Sequence, residues 1–598
     1  MKKKSKIEEK PEISFNLWLP LGLFIVFFIV WTYILFKYYF EKYPVNLNML
    51  GFVFSLKEFG PPVFLSVISA FLSHLYSIFI VLVILVSAFG LGERIRKILI
   101  LEVDSLAEKF LFSVGFGFGL LIFLTFIIGL FGALYKELFV LIFVFLTFLG
   151  VLELKKNFSK NALQNQKDKK KSFLFFLIKC IIFACGLVTL ITALTPETFY
   201  DSMQYHIGVP LLWVLEHKIH EIPTIGQSYY QMNIHLLFAI GLLLRNEQVV
   251  KLLNFLFGIL SVWTIYIFSK KFFSRETGIL ASLIFFSTPI VLFVFSRTCV
   301  ELPIAFFDLL MLFCFLNFLE TENNKWLFSS AVFMGLSIGS KYISFASFFS
   351  LIGTYLIYSI FFKGEHILKD IKRITIWAFI SGFLFLPWAI KNYVYIKNPI
   401  YPFTIDREKG LSLIGARKMD YTDQSKVPLN PKNIFTMPWR ITMGEFQESF
   451  SGPVFLFLLP FLFFVKKIPE KFKFLIFYIL FWYLLWIPLA RGYIRHFIPA
   501  LAPLSILLSF YLCETRISSF FKKSIIFILV IFSLANLFFI LSSQKMSQNP
   551  IGYVLGLQSK EEYLSIMRPT YVCPYYPVIN WANKNLPKEA KIVFMGET

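Results

Sequence analysis

Long apolar runs broken by short polar stretches dominate the chain and predict membrane-spanning helices. Phe15–Phe40 is apolar with no charge before Lys37, and Pro62–Phe89 and Ser172–Leu194 repeat the pattern. Each reaches or exceeds the ~20 residues that cross a ~30 Å hydrocarbon core at 1.5 Å per residue. A buried helix of a soluble core would be shorter and show a polar face. The pattern predicts four spans near 15–39, 62–90, 108–133 and 135–154, then one at 173–194. Further spans are expected near 247–269, 277–296, 301–319, 326–341, 343–362, 374–390, 452–466, 473–489, 495–513 and 523–542. Ile234–Leu244 is apolar but about half the crossing length, which predicts a re-entrant or interfacial segment.

Composition agrees with a polytopic, all-α membrane protein. Of the 598 residues, 57% are hydrophobic and 16% charged, whereas soluble domains carry roughly 25% charged residues. The net charge of +22 sits mostly in short clusters between apolar runs, where the positive-inside bias puts Lys and Arg on the cytoplasmic side. That distribution argues against a nucleic-acid partner. The six cysteines (Cys180, Cys185, Cys299, Cys314, Cys513, Cys573) show no metal spacing and read as small buried hydrophobes. Phe15–Phe40 lacks a small-residue cleavage site, which predicts a retained first span.

Charge sets the expected topology. Met1–Lys10, with Lys2, Lys3, Lys4 and Lys6, falls inside, as does the turn Gly92–Lys97. The 155–172 stretch holds Lys155, Lys156, Lys160, Lys167, Lys169, Lys170 and Lys171 and reads as a basic cytoplasmic linker. The 195–233 loop then lies outside, with Lys218 against Glu197, Asp201, Glu216 and Glu221. Lys270/Lys271, Lys363–Arg373, Lys466–Lys473 and Arg516–Lys523 all return inside. The 391–450 loop is basic yet falls outside; the charge rule weakens for loops near ~60 residues, and an anionic ligand is the other explanation. The expected parts are a four-span module at 1–154, the linker at 155–172, a catalytic bundle at 173–542 and an external segment at 543–598. Val578–Met595 within that tail has the look of an opening α/β unit.

The outer span boundaries carry the chemistry. The segment Thr195–His206 places Asp201 just past a span, followed by Tyr205 and His206, with an amphipathic stretch through Ile219 behind. A carboxylate at the mouth of a helix bundle can take the proton of an attacking alcohol or amine; capping of the next helix, helped by Ser202, is the plainer alternative. Glu216, His217, His220 and Glu221 have a spacing that suits a metal or the polar face of an interfacial helix, and a divalent cation stays open. Arg297 and Glu301 lie where one span ends and the next begins. Glu301, a second carboxylate facing the same compartment, can orient a cation or a sugar hydroxyl, and Arg297 beside it is a candidate substrate-binding residue, with a snorkelling anchor as the plainer alternative. Lys341, Lys391, Arg495 and His496 share that outer face. Lys supplies a point charge and Arg a bidentate fork for a phosphate, and headgroup anchoring explains each one singly.

In this order the landmarks resemble the lipid-dependent membrane glycosyltransferases of the GT-C superfamily. The likeness is to the branch of bacterial protein O-mannosyltransferase-like enzymes and the aminoarabinose transferase of lipid A. It covers roughly 172–598 and rests on Tyr200-Asp201 with Tyr205-His206, on Glu301-Leu302-Pro303, and on Gly335 with Ser340-Lys341-Tyr342. Pro387-Trp388, Lys391-Asn392, Asn398-Pro399, Tyr401-Pro402 and Arg495-His496-Phe497 with Pro499 complete the series. The resemblance implies a GT-C-like bundle whose first external loop carries amphipathic helices. It further implies transfer of a sugar from a polyprenyl-phosphate-linked donor to a lipid, glycan or protein acceptor, outside the plasma (inner) membrane. Asp201 matches the family's acidic residue in that loop, the general base of an inverting attack. Cations, Lys341 and Arg495 first, would stabilise the departing phosphate. No nucleotide is expected, and no G-x-x-x-x-G-K-[ST] occurs. Ser202 stands where the paired-acid form has a second acidic residue, which argues against protein mannosylation as the specific activity. A transporter or flippase of a lipid-linked glycan would favour mid-span charges and interrupted helices. An O-antigen ligase or polymerase would rely on external Arg and His instead of Asp201.

Overall fold

The computed structural model describes residues 21–592, except 46–47, 49–50, 52–54, 58, 61–62, 160–172, 364–366, 404–429, 446–449, 464–468, 491–492, 515–517, 548, 569–570, 572 and 588. The described residues form helices and turns, with no β-strand among them. Among the described residues twelve helices are long and apolar enough to cross a bilayer, so the protein is an integral, multi-pass membrane protein.

The chain opens with α1 (Leu21–Lys42), α2 (Phe64–Ile98), α3 (Leu106–Leu130) and α4 (Lys136–Ser159). Next, α5 (Phe173–Ala193) leads into a loop holding one π-helical turn (Ser202–Ile207), which α6 (Gly208–Leu215) continues. There follow α7 (Asn233–Leu244), α8 (Glu247–Phe272), α9 (Arg275–Phe286), α10 (Pro289–Phe295), α11 (Glu301–Thr321), α12 (Asn324–Ile338), α13 (Ser344–Tyr358) and α14 (Ile367–Ile396). After α15 (Pro431–Thr442) and α16 (Val454–Leu458), the bundle closes with α17 (Glu470–Ala490), α18 (Ile498–Glu514) and α19 (Ser519–Ser547). Three short helices form the tail: α20 (Pro550–Val554), α21 (Lys560–Ser565) and α22 (Tyr576–Asn585).

The axis of the bundle is α11, buried along nearly its whole length and packed against α8, α12 and α18. Midway along it, Asp308 accepts hydrogen bonds from Ser337 (2.6 Å) and from Ser347, and Ser347 accepts from Trp482 Nε1 at 2.8 Å. One buried carboxyl thus ties α11 to α12, α13 and α17, in keeping with the rule that polar groups inside a membrane bundle find internal partners.

Three expected elements take a different form. The 277–296 run is two helices, α9 and α10, meeting at 73°. Pro289 disfavours helical backbone at the residue before it; Thr288 is extended (ψ 124°), and its hydroxyl donates to the Ile284 carbonyl at 2.7 Å. The 326–341 run gives a 15-residue helix, about 22 Å long at the α-helical rise and short of a full crossing. The 452–466 run is α16 followed by a 3₁₀ turn at Leu459–Phe463, and 464–468 lies outside the described residues. In the tail, Tyr576–Asn585 is helical, and 593–598, the end of the expected α/β unit, lies outside the described residues. Ile234–Leu244 forms α7, a 12-residue helix buried almost throughout. Lys2–Lys6, the linker residues Lys160–Lys171 and 404–429 of the basic loop also lie outside the described residues.

The N-terminal helices pack in two places. Helix α1 lies on α16 and α19, with Phe28 against Phe457 and Phe521 and Trp31 Nε1 donating to the Leu456 carbonyl at 2.9 Å. Helices α2–α4 form their own layer through glycines that let backbones touch, as small residues do at membrane helix interfaces. A Cβ on Gly92 would sit 1.7 Å from the Ser113 carbonyl oxygen, and one on Gly90 would sit 2.6 Å from Gly150 Cα. Gly115 and Gly119 turn α3 toward Leu310, Phe333 and Leu336 of the bundle. At the end remote from Asp201, Lys271 of α8 pairs with Asp104 and Glu108, each at 2.9 Å.

Gly92→Ala should therefore lower stability by about 1–3 kcal/mol, the usual cost of overpacking against backbone. A melting curve in detergent, with Gly22→Ala as the unobstructed control, checks this; equal melting of the two variants would mean α2 and α3 do not touch there.

Candidate active site

The loop after α5 is fixed before it reaches Asp201. Lys251 of α8 donates to the carbonyls of Thr192 and Thr195 and to the Thr195 hydroxyl, each at 3.1 Å. These include carbonyls at the C-terminal end of α5, where a cation is favoured. Glu197 then folds back: one oxygen accepts from the N–H groups of Thr198 (2.9 Å) and Phe199 (3.1 Å), the other from Thr298 N–H (2.8 Å). Ser202 adds a bond from its hydroxyl to the Thr298 carbonyl at 2.7 Å. The start of the π turn is thereby pinned to the 296–300 junction between α10 and α11.

At that junction five side chains from four parts of the sequence meet. Arg495 Nη2 donates to Asp201 Oδ2 at 2.7 Å, and Arg495 Nε lies 3.6 Å from Glu301 Oε1. Lys341 Nζ donates to the same Glu301 oxygen at 2.7 Å, and His496 Nδ1 lies 3.3 Å from it. Glu301 is buried (1% exposed) in the first turn of α11, and its other oxygen accepts from Val300 N–H at 3.2 Å. A buried carboxylate needs such partners, and a helix N-terminus adds to them. Asp201 stays partly open, with 28% of its side chain exposed. Arg495 also lies over the Phe199 ring at 5.5 Å. Two carboxylates and two basic side chains are thus grouped together, with Arg495 reaching both acids.

The remaining expected residues lie around this group in different ways. Tyr205 packs on His206, ring centroids 4.1 Å apart, and His206 Nδ1 is 2.8 Å from His235 Nε2. Burial first, then the neighbouring His235, holds the His206 imidazole well below its usual range. Arg297 is buried, lies over the Phe293 ring at 3.5 Å and donates to the Phe293 carbonyl at 3.0 Å. Lys391 donates to the Ser228 carbonyl at 2.5 Å, among the rings of Trp213, Tyr229 and Trp388. Its contacts latch the loop instead of joining the acidic pair. His220 pairs with Glu216 at 3.0 Å, whereas His217 Nδ1 turns to the Leu134 carbonyl at 3.0 Å. Among the described residues no group of three His, Cys, Asp or Glu could hold a metal ion.

Sequence reasoning gave no role to Glu197 or Lys251. Lys251 had a usable signal: a lone charge in an otherwise apolar run is costly and calls for a partner. Glu197 had none, because the partner that ties its loop to the bundle, Thr298 N–H, lies 101 residues away.

Residues 233–390 match the model of a family described as dolichyl-phosphate-mannose-protein mannosyltransferase. The match spans α7 through most of α14 and includes His235, Arg297, Glu301 and Lys341. Over those residues the bundle is similar to that family. Among solved structures the chain is similar to ArnT from Cupriavidus metallidurans in the apo state, at 12% identity over 58% of this chain and 61% of that one, TM-score 0.40. It is also similar to ArnT bound to undecaprenyl phosphate, at 10% identity over 65% and 77%, TM-score 0.38. The first of these is thus covered over less than two thirds of its own length. No curated protein sequence matches the chain.

Two outcomes follow from the geometry. Glu197→Ala leaves three N–H groups without their acceptor and should cost about 1–3 kcal/mol, seen as a lower melting temperature. The His206–His235 pair resists protonation when folded, while the unfolded imidazoles take up protons below about pH 6.5. Stability should therefore fall as pH drops from 7 to 5. A melting temperature constant over that range would show that the pair is already solvated.

Proposed function

We propose that the chain transfers a sugar, with inversion, from a polyprenyl-phosphate-linked donor to an acceptor on the outer side of the plasma membrane. The observation that carries this is Arg495 joined to Asp201 at 2.7 Å and close to Glu301, which Lys341 also holds. A donor phosphate would compete with Asp201 for Arg495, so donor binding frees the carboxylate as it fills the site. The acceptor hydroxyl or amine then attacks the anomeric carbon and Asp201 takes its proton. The sugar–phosphate bond breaks with both electrons leaving on phosphate. One negative charge disappears at Asp201 as one appears on the leaving group, with Arg495 between them and Lys341 beside it. Fixed cations aimed at charge that develops are a large part of such rate enhancement.

The matched family is named for a dolichyl-phosphate sugar donor, which supports the lipid-linked class. The lysine-rich turns at the opposite helix ends, such as Lys270–Lys271, support an outward-facing site under the positive-inside bias. Residues 173–542 then form the catalytic module, 155–172 the basic linker and 543–598 the external segment.

Asp201→Asn should lower transfer by about 10²–10⁴-fold, the range of general-base contributions, with the donor KM unchanged or lower, because Asn no longer competes with the donor phosphate for Arg495. The assay supplies radiolabelled polyprenyl-phospho-sugars and a membrane extract to purified protein in lipid. Equal transfer by wild type and variant would remove Asp201 as base. No transfer from any donor by folded wild-type protein would instead favour movement of a lipid-linked glycan.

A further inference from the structure

The loop that carries Asp201 is gripped from outside the catalytic bundle, by the extra N-terminal layer. The π turn that Asp201 opens runs on into α6 as one helical rod ending at Leu215. Beyond it the chain turns at His217, whose backbone is left-handed (φ 57°). There it meets the turn between α3 and α4. Leu134 N–H donates to the His217 carbonyl at 3.0 Å, and Ile219 N–H donates to the Gly129 carbonyl at 2.9 Å. The His217 ring stacks on Tyr135 with centroids 4.0 Å apart, and its Nδ1 reaches the Leu134 carbonyl. Phe126 of α3 packs on Trp388 at 5.1 Å, and Trp388 lies 6.4 Å from Trp213 of α6.

The same layer holds the start of the loop. Gln248 of α8 donates to the Leu194 carbonyl at 2.5 Å and sits 2.9 Å from His74 Nδ1, while Ser77 donates to its amide oxygen. His74 and Ser77 belong to α2. Both ends of the segment bearing Asp201 are therefore bonded to α2–α4 or to a side chain those helices hold.

We infer that α2–α4 act as a clamp that sets the position of Asp201, with Tyr135 and His217 as the positioning pair at its distal end. This rests on Asp201 being the base. Neither residue touches the acidic pair, so any effect passes along the α6 rod. A carboxylate displaced by about 1 Å can cost up to 10²-fold in rate without loss of substrate binding.

Tyr135→Ala and His217→Asn are suitable variants: Tyr135 is half-exposed, and Asn tolerates the left-handed backbone. Hydrogen exchange of the full protein in lipid should show amides of 202–219 opening about 10-fold faster in both variants. In the transfer assay kcat should drop about 10-fold with donor KM within about 2-fold of wild type, and Tyr135→Phe should restore both. Faster exchange confined to 130–136, with 202–219 unchanged, would overturn the clamp. Faster exchange of 202–219 with kcat unchanged would overturn its role in placing Asp201. If wild-type protein transfers no sugar, the exchange result still decides the clamp, and the failure belongs to the glycosyltransferase reading.

Discussion

Everything around the site depends on one expensive group, the carboxylate of Glu301 buried at the start of the central helix. An ionised carboxylate removed from water is held only by close cations and hydrogen bonds. Lys341, Arg495 and His496 come from the end of α12 and the start of α18 to meet it. Those contacts in turn decide where α12 stops, how α18 enters the bundle and which way Arg495 faces. Arg495 can then reach Asp201 on a loop from a different part of the chain.

A site that already contains balanced charges suits the release of an anionic leaving group, as the proposed reaction requires. Asp201 and Glu301 are offset by Arg495 and Lys341, so the cations are held in place before any ligand arrives. Preorganised charges of this kind need little rearrangement when negative charge shifts between groups they already face. The cost is borne by the fold, which uses Glu197, Ser202 and Lys251 to keep the loop against the 296–300 junction.

Glycines close the N-terminal layer on itself, backbone to backbone, and let bundle side chains pack down onto α3. Gly92, Gly115, Gly117 and Gly119 bring α3 within touching distance of α2 on one side and of α11 and α12 on the other. The layer therefore meets the bundle over the length of α3 and ends at the loop that bears Asp201. Helix α1 takes no part in it and instead covers α16 and α19.

The apolar runs were legible because a bilayer demands about 20 uncharged residues in a row, whatever the neighbours are. The same physics put polar residues at span ends, so Asp201, Glu301, Lys341, Arg495 and His496 stood out as boundary groups. Span integrity was less legible: the break at Thr288–Pro289 and the shortness of α12 are decided by neighbours that accept a bent or short helix. Sequence alone determined that the chain is a helical membrane protein with acidic and basic groups at one set of helix ends. Only the tertiary structure decided which of them meet. It joined Arg495 to Asp201 across 294 positions and turned Lys391 away to the Ser228 carbonyl. The physical reason is that hydrophobicity is a property of each segment by itself, whereas an ion pair needs two segments at a fixed distance, which helix packing alone sets.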